Sequence, residues 1–383
     1  MTHSGIANLP LHPGKCPAWL FPRMKKLSGA ISETIICEFG VEEFMKRLAD
    51  PYFLQSLGCV IGFDWHSSGL TATTLGALKA SINTKKIGIT FCGGKGKTSR
   101  KTPDEIMKFS QEYNLSTKKV DRLLYSSKIC AKIDNSLVQD GYQLYHHSFA
   151  FDENGKWIVI QQGMNNNNAY ARRYHWHSES FDTFIQEPHN AICCNKETEK
   201  TLDLTNKHNK KVQKTSVDII NDDEMLKIIS KIISEQTQLI SGQTPLNYFA
   251  SNTSNNNNNR QKVLTMPKNH LIPFMQKRNI EMLKQAYEYQ PKSYEELIAL
   301  KGVGAKTVRS LALISELIYG EEITWKDPVK YSFAVGGKDK IPYEINKLHY
   351  DKTTDILETA LEHAKIDQKS RLIGIKKLAG MYG

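Results

Sequence analysis

Six of the twelve histidines fall between His66 and His189, each with polar or charged neighbours able to complete a reaction site. They lie in Asp64-Trp65-His66, Gln139-Asp140-Gly141-Tyr142-Gln143-Leu144-Tyr145-His146-His147, Ala171-Arg172-Arg173-Tyr174-His175-Trp176-His177 and Glu187-Pro188-His189-Asn190, with Gln161-Gln162-Gly163-Met164-Asn165 as a further polar segment. Hydrolysing a phosphodiester needs a hard divalent ion to polarise the phosphate and generate hydroxide, and a cation to meet the developing charge. Asp64, His66, Asp140 and His147 are candidate ligands for Mg²⁺ or Mn²⁺ or candidate activators of water, and His146 is a further candidate catalytic group. Gln162 would orient, and Arg172 and Arg173 would clamp the scissile phosphate. Only three carboxylates, Asp64, Asp140 and Glu187, fall inside these segments, which is sparse for a two-metal site, so a one-metal or His-base mechanism fits as well. The competing account is structural: histidines among aromatics satisfy buried hydrogen bonds, and a Gln-rich hairpin forms a binding groove without catalysis. An enzyme acting on a base instead of the backbone lacks any zinc-deaminase spacing.

A second constellation bears on binding. Between residues 294 and 320 a Gly-Val-Gly turn at 302–304 separates two apolar patterns of helical period, the signature of a helix-hairpin-helix. Gly302 and Gly304 allow positive φ and close backbone approach, and the N-terminus of the second helix offers amides beside Lys306, Thr307 and Arg309. A DNA phosphate suits that turn without any base being read, so the expected binding is sequence-independent. The plainer alternative is an αα-hairpin whose glycines only make the turn, or one reused for protein contacts. In Phe91-Cys92-Gly93-Gly94-Lys95-Gly96-Lys97-Thr98, a Walker A reading needs glycine at position 91, where Phe91 stands. Lys95 and Lys97 still suit a nucleic-acid backbone. After the hairpin, Trp325-Lys326-Asp327-Pro328 mixes aromatic and charged residues, to clamp a strand or to buttress a small domain.

The elements that must position these groups are partly legible. Phe44–Leu48, Pro51–Gly62, and stretches near 71–82, 103–113 and 117–135 read as helices, and Lys86–Cys92 alternates like a strand. Tyr142–Phe151 and Trp157–Gln162 read as a β-hairpin through Asn154-Gly155. With those two as the turn, Phe151 faces Ile158 and His147 faces Gln162, so His147, Gln162 and nearby Asp140 gather at the polar end of one face. Three regions follow from composition: an α/β domain over 1–192, a polar Lys/Asn-rich linker over 193–262 with a helix near 217–239, and a helical hairpin domain over 263–383. The expected class is thus an α/β (α+β) N-terminal domain with a hairpin-containing sheet, and an all-α C-terminal domain.

The net charge of +11 points to a polyanionic partner and is spread along the chain instead of forming a basic tail. Seven cysteines without a C-x-x-C pair argue for reduced thiols. No apolar run reaches membrane-spanning length, and Pro10, Pro13, Lys15 and Pro17 interrupt any signal-peptide core, which predicts a cytoplasmic protein with no membrane partner.

Gly5-Ile6-Ala7-Asn8-Leu9-Pro10-Leu11-His12, Gly62-Phe63-Asp64-Trp65-His66-Ser67-Ser68-Gly69, Gly93-Gly94-Lys95-Gly96-Lys97, the 139–147 segment, Gln161-Gln162-Gly163-Met164, Tyr331-Ser332-Phe333-Ala334 and Gly337-Lys338-Asp339 together resemble the mainly archaeal family of unknown function numbered 763. The resemblance covers almost the whole chain and departs mainly around 195–262. It implies a DNA-processing enzyme and assigns no catalytic residue. The combined expectation is a divalent-metal-dependent DNA nuclease, with a non-catalytic DNA-binding or repair-scaffold protein as the alternative.

Overall fold

The computed structural model describes residues 16, 18–63, 67–82, 87–194, 198, 201–229 and 277–329, with scattered positions between 356 and 375. Helix and sheet are mixed, and the chain divides into two compact units, one of residues 1–201 with 327–383 and one of 202–326.

In the first unit, α1 (Leu20–Ala49) buries Met24, Leu27, Ile31 and Ile35 at helical spacing, then breaks at Gly40, whose φ of 84° no helix accommodates. Asp50 ends that helix and caps α2 (Pro51–Val60), its Oδ1 accepting Tyr52 N at 2.7 Å, with Pro51 where a missing N–H costs nothing. Helix α3 (Gly69–Ser81) follows. Strand β1 (Ile89–Lys95) runs through a 3₁₀ turn (Gly96–Lys101) into α4 (Thr102–Glu112) and α5 (Thr117–Ser136). Strands β2 (Gln143–Asp152), β3 (Trp157–Asn165), β4 (Tyr170–His177) and β5 (Ala191–Cys193) complete an antiparallel sheet of order β1-β2-β3-β4-β5.

Alternation along the strands gives the sheet two apolar faces. Ile89, Phe91, Ala150, Ile158 and Ile160 join the core of α1, α2 and α3, which also takes Ile356, Leu357, Ala360 and Leu361 from the C-terminal segment. On the opposite face Phe149 stacks on Trp157 at 5.7 Å and Phe151 meets Tyr113 edge-on at 5.9 Å. Each fully buried large aliphatic or aromatic side chain is worth roughly 1.5–3 kcal/mol. These layers fix the sheet's polar end.

The β2–β3 turn corrects the expected register. Asp152 Oδ1 accepts Asn154 N and Lys156 N, Asp152 N donates to Lys156 O, and Gly155 takes a φ of 83°. The loop is therefore Glu153-Asn154-Gly155, three residues closed by Asp152 and Lys156, instead of the two-residue Asn154-Gly155 turn. The pairing becomes Phe151 with Trp157, Phe149 with Val159 and His147 with Gln161. A one-residue slip moves every side chain of one strand to the other face, so His147 and Gln162 lie on opposite sides of the sheet.

The second unit contains α6 (Lys210–Asn221), α7 (Lys277–Tyr289), α8 (Tyr294–Ala299) and α9 (Ala305–Tyr319). Helix α6 packs against the other three. It begins upstream of the helix expected near 217–239 and buries Val212, Val217, Ile219 and Ile220, so part of the expected polar linker belongs to a core. The C-terminal stretch expected to complete the hairpin domain returns instead to the first unit from Asp327 onward, because its Leu357 and Leu361 fill the core beside α1. No helix among the described residues is long and apolar enough to cross a membrane.

Candidate functional site

The polar end of the sheet carries a different set of groups on each face. On the α1–α3 face the register aligns Lys95 with His146, His146 with Gln162, Gln162 with Arg173 and Arg173 with Cys193, a polar row crossing all five strands. A register shift between Leu144 and His146 makes Tyr145 an extra residue, so Tyr145 and His146 both face Gln162. Gln162 Nε2 donates to Tyr145 Oη at 2.5 Å and to the Ser68 carbonyl at 2.8 Å. Lys95, at the exposed end of the row, stands 5.6 Å from the Tyr145 ring centroid. This row brings together Lys95, His146 and Gln162 from the expected site and sets them beside the segment that follows His66.

Among the described residues, both ring nitrogens of His146 and Gln162 Oε1 are buried and have no hydrogen-bond partner. With both Gln162 amide hydrogens directed at Tyr145 and at a carbonyl, the free oxygen is fixed as an acceptor. Burial, then the neighbouring His147 and Lys95, push the His146 imidazole down to about 3, so it is neutral at physiological pH.

On the other face, His147 Nδ1 lies 2.9 Å from Gln161 Oε1 and its Nε2 lies 2.9 Å from Ser127 Oγ. Gln161 Nε2 donates to Asp134 Oδ2 at 2.5 Å, which leaves its oxygen facing His147 and puts the imidazole proton on Nδ1. His147 Nε2 therefore accepts from the Ser127 hydroxyl. Asp134 also accepts from Trp176 Nε1 at 3.0 Å, and its Oδ1 pairs with His189 Nε2 at 2.5 Å. Burial lowers the His147 pKa, against the raising effects of Gln161 and Asp134. Sequence reasoning missed Asp134 and Ser127, although Ser127, Cys130 and Asp134 recur at helical spacing within the apolar stripe of α5, a position where a carboxylate needs partners.

Asp140 is saturated by protein donors. Its Oδ1 accepts Tyr142 N at 3.0 Å, and its Oδ2 accepts Arg172 Nη1 at 2.9 Å and Tyr174 Oη at 2.7 Å. Arg172 also forks onto Asp327, at 3.0 Å to Oδ1 and 2.7 Å to Oδ2, and its guanidinium lies 4.5 Å from the Tyr142 ring centroid. Asp327, at the return of the chain into the first unit, further accepts Thr198 N at 2.6 Å. Arg173, the next residue, points to the opposite face, where Gln55 Oε1, Thr71 Oγ1 and the Pro51 carbonyl accept its hydrogens at 3.1–3.3 Å. Both arginines are fully buried. Their expected joint clamp on one phosphate is corrected: neighbours on a strand face opposite ways, and each is held by protein acceptors.

The expected metal set of Asp64, His66, Asp140 and His147 divides in the same way. Asp64 and His66 lie outside the described residues, Asp140 is committed to Arg172 and Tyr174, and His147 is committed to Ser127 and Gln161. No three His, Cys, Asp or Glu side chains converge as a metal-ligand group among the described residues, so those residues do not by themselves fit Mg²⁺ or Mn²⁺.

In the second unit the Gly-Val-Gly turn joins α8 to α9. Ser293 caps α8 by accepting Glu296 N at 3.2 Å, and Gly320 ends α9 in the left-handed conformation. Gly302 has a φ of 92° and sits against Met282, so it serves both conformation and packing. Gly304 is extended, and among the described residues nothing lies within 4 Å of where its Cβ would be. The first hydrogen bond into α9 is Val308 N to Gly304 O, so the amides of Lys306 and Thr307 have no intrahelical acceptor. Lys301 and Lys306 are exposed, whereas Thr307, expected beside the phosphate, is buried at 1 % exposure, so its hydroxyl is no surface donor. Leu317 and Ile318, in the last turn of α9, are exposed.

No curated protein and no solved structure matches the chain. A family model described as Protein of unknown function (DUF763) matches residues 5–345, most of the chain, and the chain belongs to that family.

Proposed function

We propose that the protein holds DNA by its phosphate backbone through a helix-hairpin-helix at residues 294–320, as a sequence-independent binding or repair-scaffold protein. The observation that carries this reading is the open space at Gly304 in front of amides without intrahelical acceptors, with Lys301 and Lys306 exposed beside it. Partial positive charge at a helix N-terminus, backbone donors and flanking lysines suit a phosphate and read no base. Gly304→Val tests this cleanly, because an extended backbone accepts any residue and the added side chain enters open space. The variant should fold as wild type does while losing affinity for duplexes of unrelated sequence; unchanged affinity would refute the hairpin as the contact.

A divalent-metal DNA nuclease is the second reading, favoured by the hydrogen bond from Gln162 to the Ser68 carbonyl, which draws the segment after Asp64 and His66 towards His146 and Lys95. In that reading Asp64 and His66 supply the ligands for Mg²⁺ or Mn²⁺, His146 and Gln162 face the substrate, and Asp140 is structural. Incubating the protein with labelled single- and double-stranded DNA and either metal tests it. Cleavage lost in Asp64→Ala supports the reading, and binding without cleavage under every metal removes it.

A further inference from the structure

We propose that the row Lys95–His146–Gln162 is a binding site for a phosphate monoester, the end of a nucleic-acid strand or a free nucleotide, distinct from the hairpin and requiring no cleavage. Both His146 ring nitrogens and Gln162 Oε1 lie buried in one row without partners among the described residues, groups free to hydrogen-bond a guest. Their needs define the guest. A neutral imidazole requires one acceptor and one donor, and Gln162 Oε1 requires a donor. Lys95 stands at the exposed end of the row and has no carboxylate partner among the described residues, as do Lys97, Arg100 and Lys101 on the turn that follows, so an anion is favoured and a metal cation disfavoured.

A phosphate monoester supplies the acceptor that the His146 N–H requires and, when singly protonated, one of the two donors that the other His146 nitrogen and Gln162 Oε1 require. Its terminal oxygens accept from Lys95 and from the His146 N–H, and because its second ionisation lies near pH ~6, a share of it carries a P–OH able to donate to Gln162. A diester has no such proton. His146 and Gln162 are buried behind exposed Lys95, at 2 % and 0 % exposure, so a strand passing over the surface does not touch them and a terminal group reaches them only by displacing the side chains in front of them. The backbone that leads to Lys95 is held in place. Glu105 Oε2 accepts Gly93 N at 2.6 Å, and Lys79 Nζ bridges Glu105 and the Gly93 carbonyl at 2.7–2.8 Å, fixing the end of β1 where Lys95 projects.

The test uses the full chain and fluorescence anisotropy with a short labelled oligothymidylate ending in a 5′-phosphate, a 3′-phosphate or hydroxyls only, with adenosine monophosphate, adenosine and inorganic phosphate as competitors. A monoester-ended oligomer should bind about tenfold more tightly than the hydroxyl-ended one, or adenosine monophosphate should compete about tenfold better than adenosine, each a difference of one decade in dissociation constant. The first outcome identifies a strand end and the second a free nucleotide. Lys95→Ala, an exposed substitution, and His146→Leu should abolish the preference. Lys306→Ala should lower the affinity of all oligomers and leave the ratio between them intact, which separates this site from the hairpin. The proposal is overturned if no monoester probe is preferred, or if the preference persists in Lys95→Ala.

Discussion

Asp140 Oδ2 and Arg172 Nη1 meet at 2.9 Å with neither side chain exposed, and this ion pair joins β4 to the loop before β2. Without Asp140, Arg172 keeps Asp327 but the Tyr174 hydroxyl and the Tyr142 N–H lose their buried acceptor, which costs about 1–3 kcal/mol. Asp140→Ala should therefore lower global stability by that order in denaturant unfolding, with Asp140→Asn milder. A variant as stable as wild type would show that Asp140 is held for another purpose.

Gly93 tests the close packing beneath the basic loop. With φ at 80°, a Cβ there would collide with the His147 carbonyl oxygen and lie 2.6 Å from Thr102 Oγ1. Gly93→Ala should destabilise by on the order of 3 kcal/mol or more. Thermal unfolding within a degree or two of wild type would contradict the strand's approach to β2.

The acid limb of stability follows from His146. Its pKa is held at about 3 by burial, then by His147 and Lys95, whereas an unfolded histidine titrates near ~6.5. The folded pKa is the lower one, so the unfolded chain takes up the proton first. This contribution to stability is complete above pH ~6.5 and is lost as pH falls towards about 3, at roughly 1.4 kcal/mol per pH unit in between. Denaturation midpoints measured from neutrality down to about pH 5 should fall along this slope, and His146→Leu should flatten it. Parallel slopes for the two proteins would argue against a neutral buried imidazole.

These predictions rest on features of unequal legibility. Helices α2 to α5 were readable because apolar spacing and local start signals agree: Pro51 opens α2, and Pro103, Asp104 and Glu105 lie in the first turn of α4. The β2–β3 hairpin was readable from Asn154-Gly155, but its register was not, since Asp152 closes the turn with its own side chain and adds one residue to the loop. Tyr145 gives no local sign of being a bulge. Arg172 reads as a surface cation until Asp327, 155 residues away, is seen to neutralise it. The expected site joined His147 to Gln162, whereas the observed row joins His146 to Gln162, and the difference is that single slip.

Thr307 separates the two meanings of the hairpin sequence. It is buried under the turn while Lys306 is exposed. Thr307→Val should leave DNA affinity within about twofold of wild type, well under the tenfold that corresponds to 1.4 kcal/mol. A large loss in a variant of unchanged stability would mean that the hydroxyl reaches the phosphate after all.

Phosphate contact at the hairpin is measured most directly by the salt dependence of duplex binding. Wild-type protein should bind duplexes of unrelated sequence alike, with affinity falling steeply as salt rises, and Lys306→Ala should weaken binding uniformly and reduce the log–log salt slope by about 1. Absence of duplex binding at low salt, or an unchanged slope in Lys306→Ala, would contradict it.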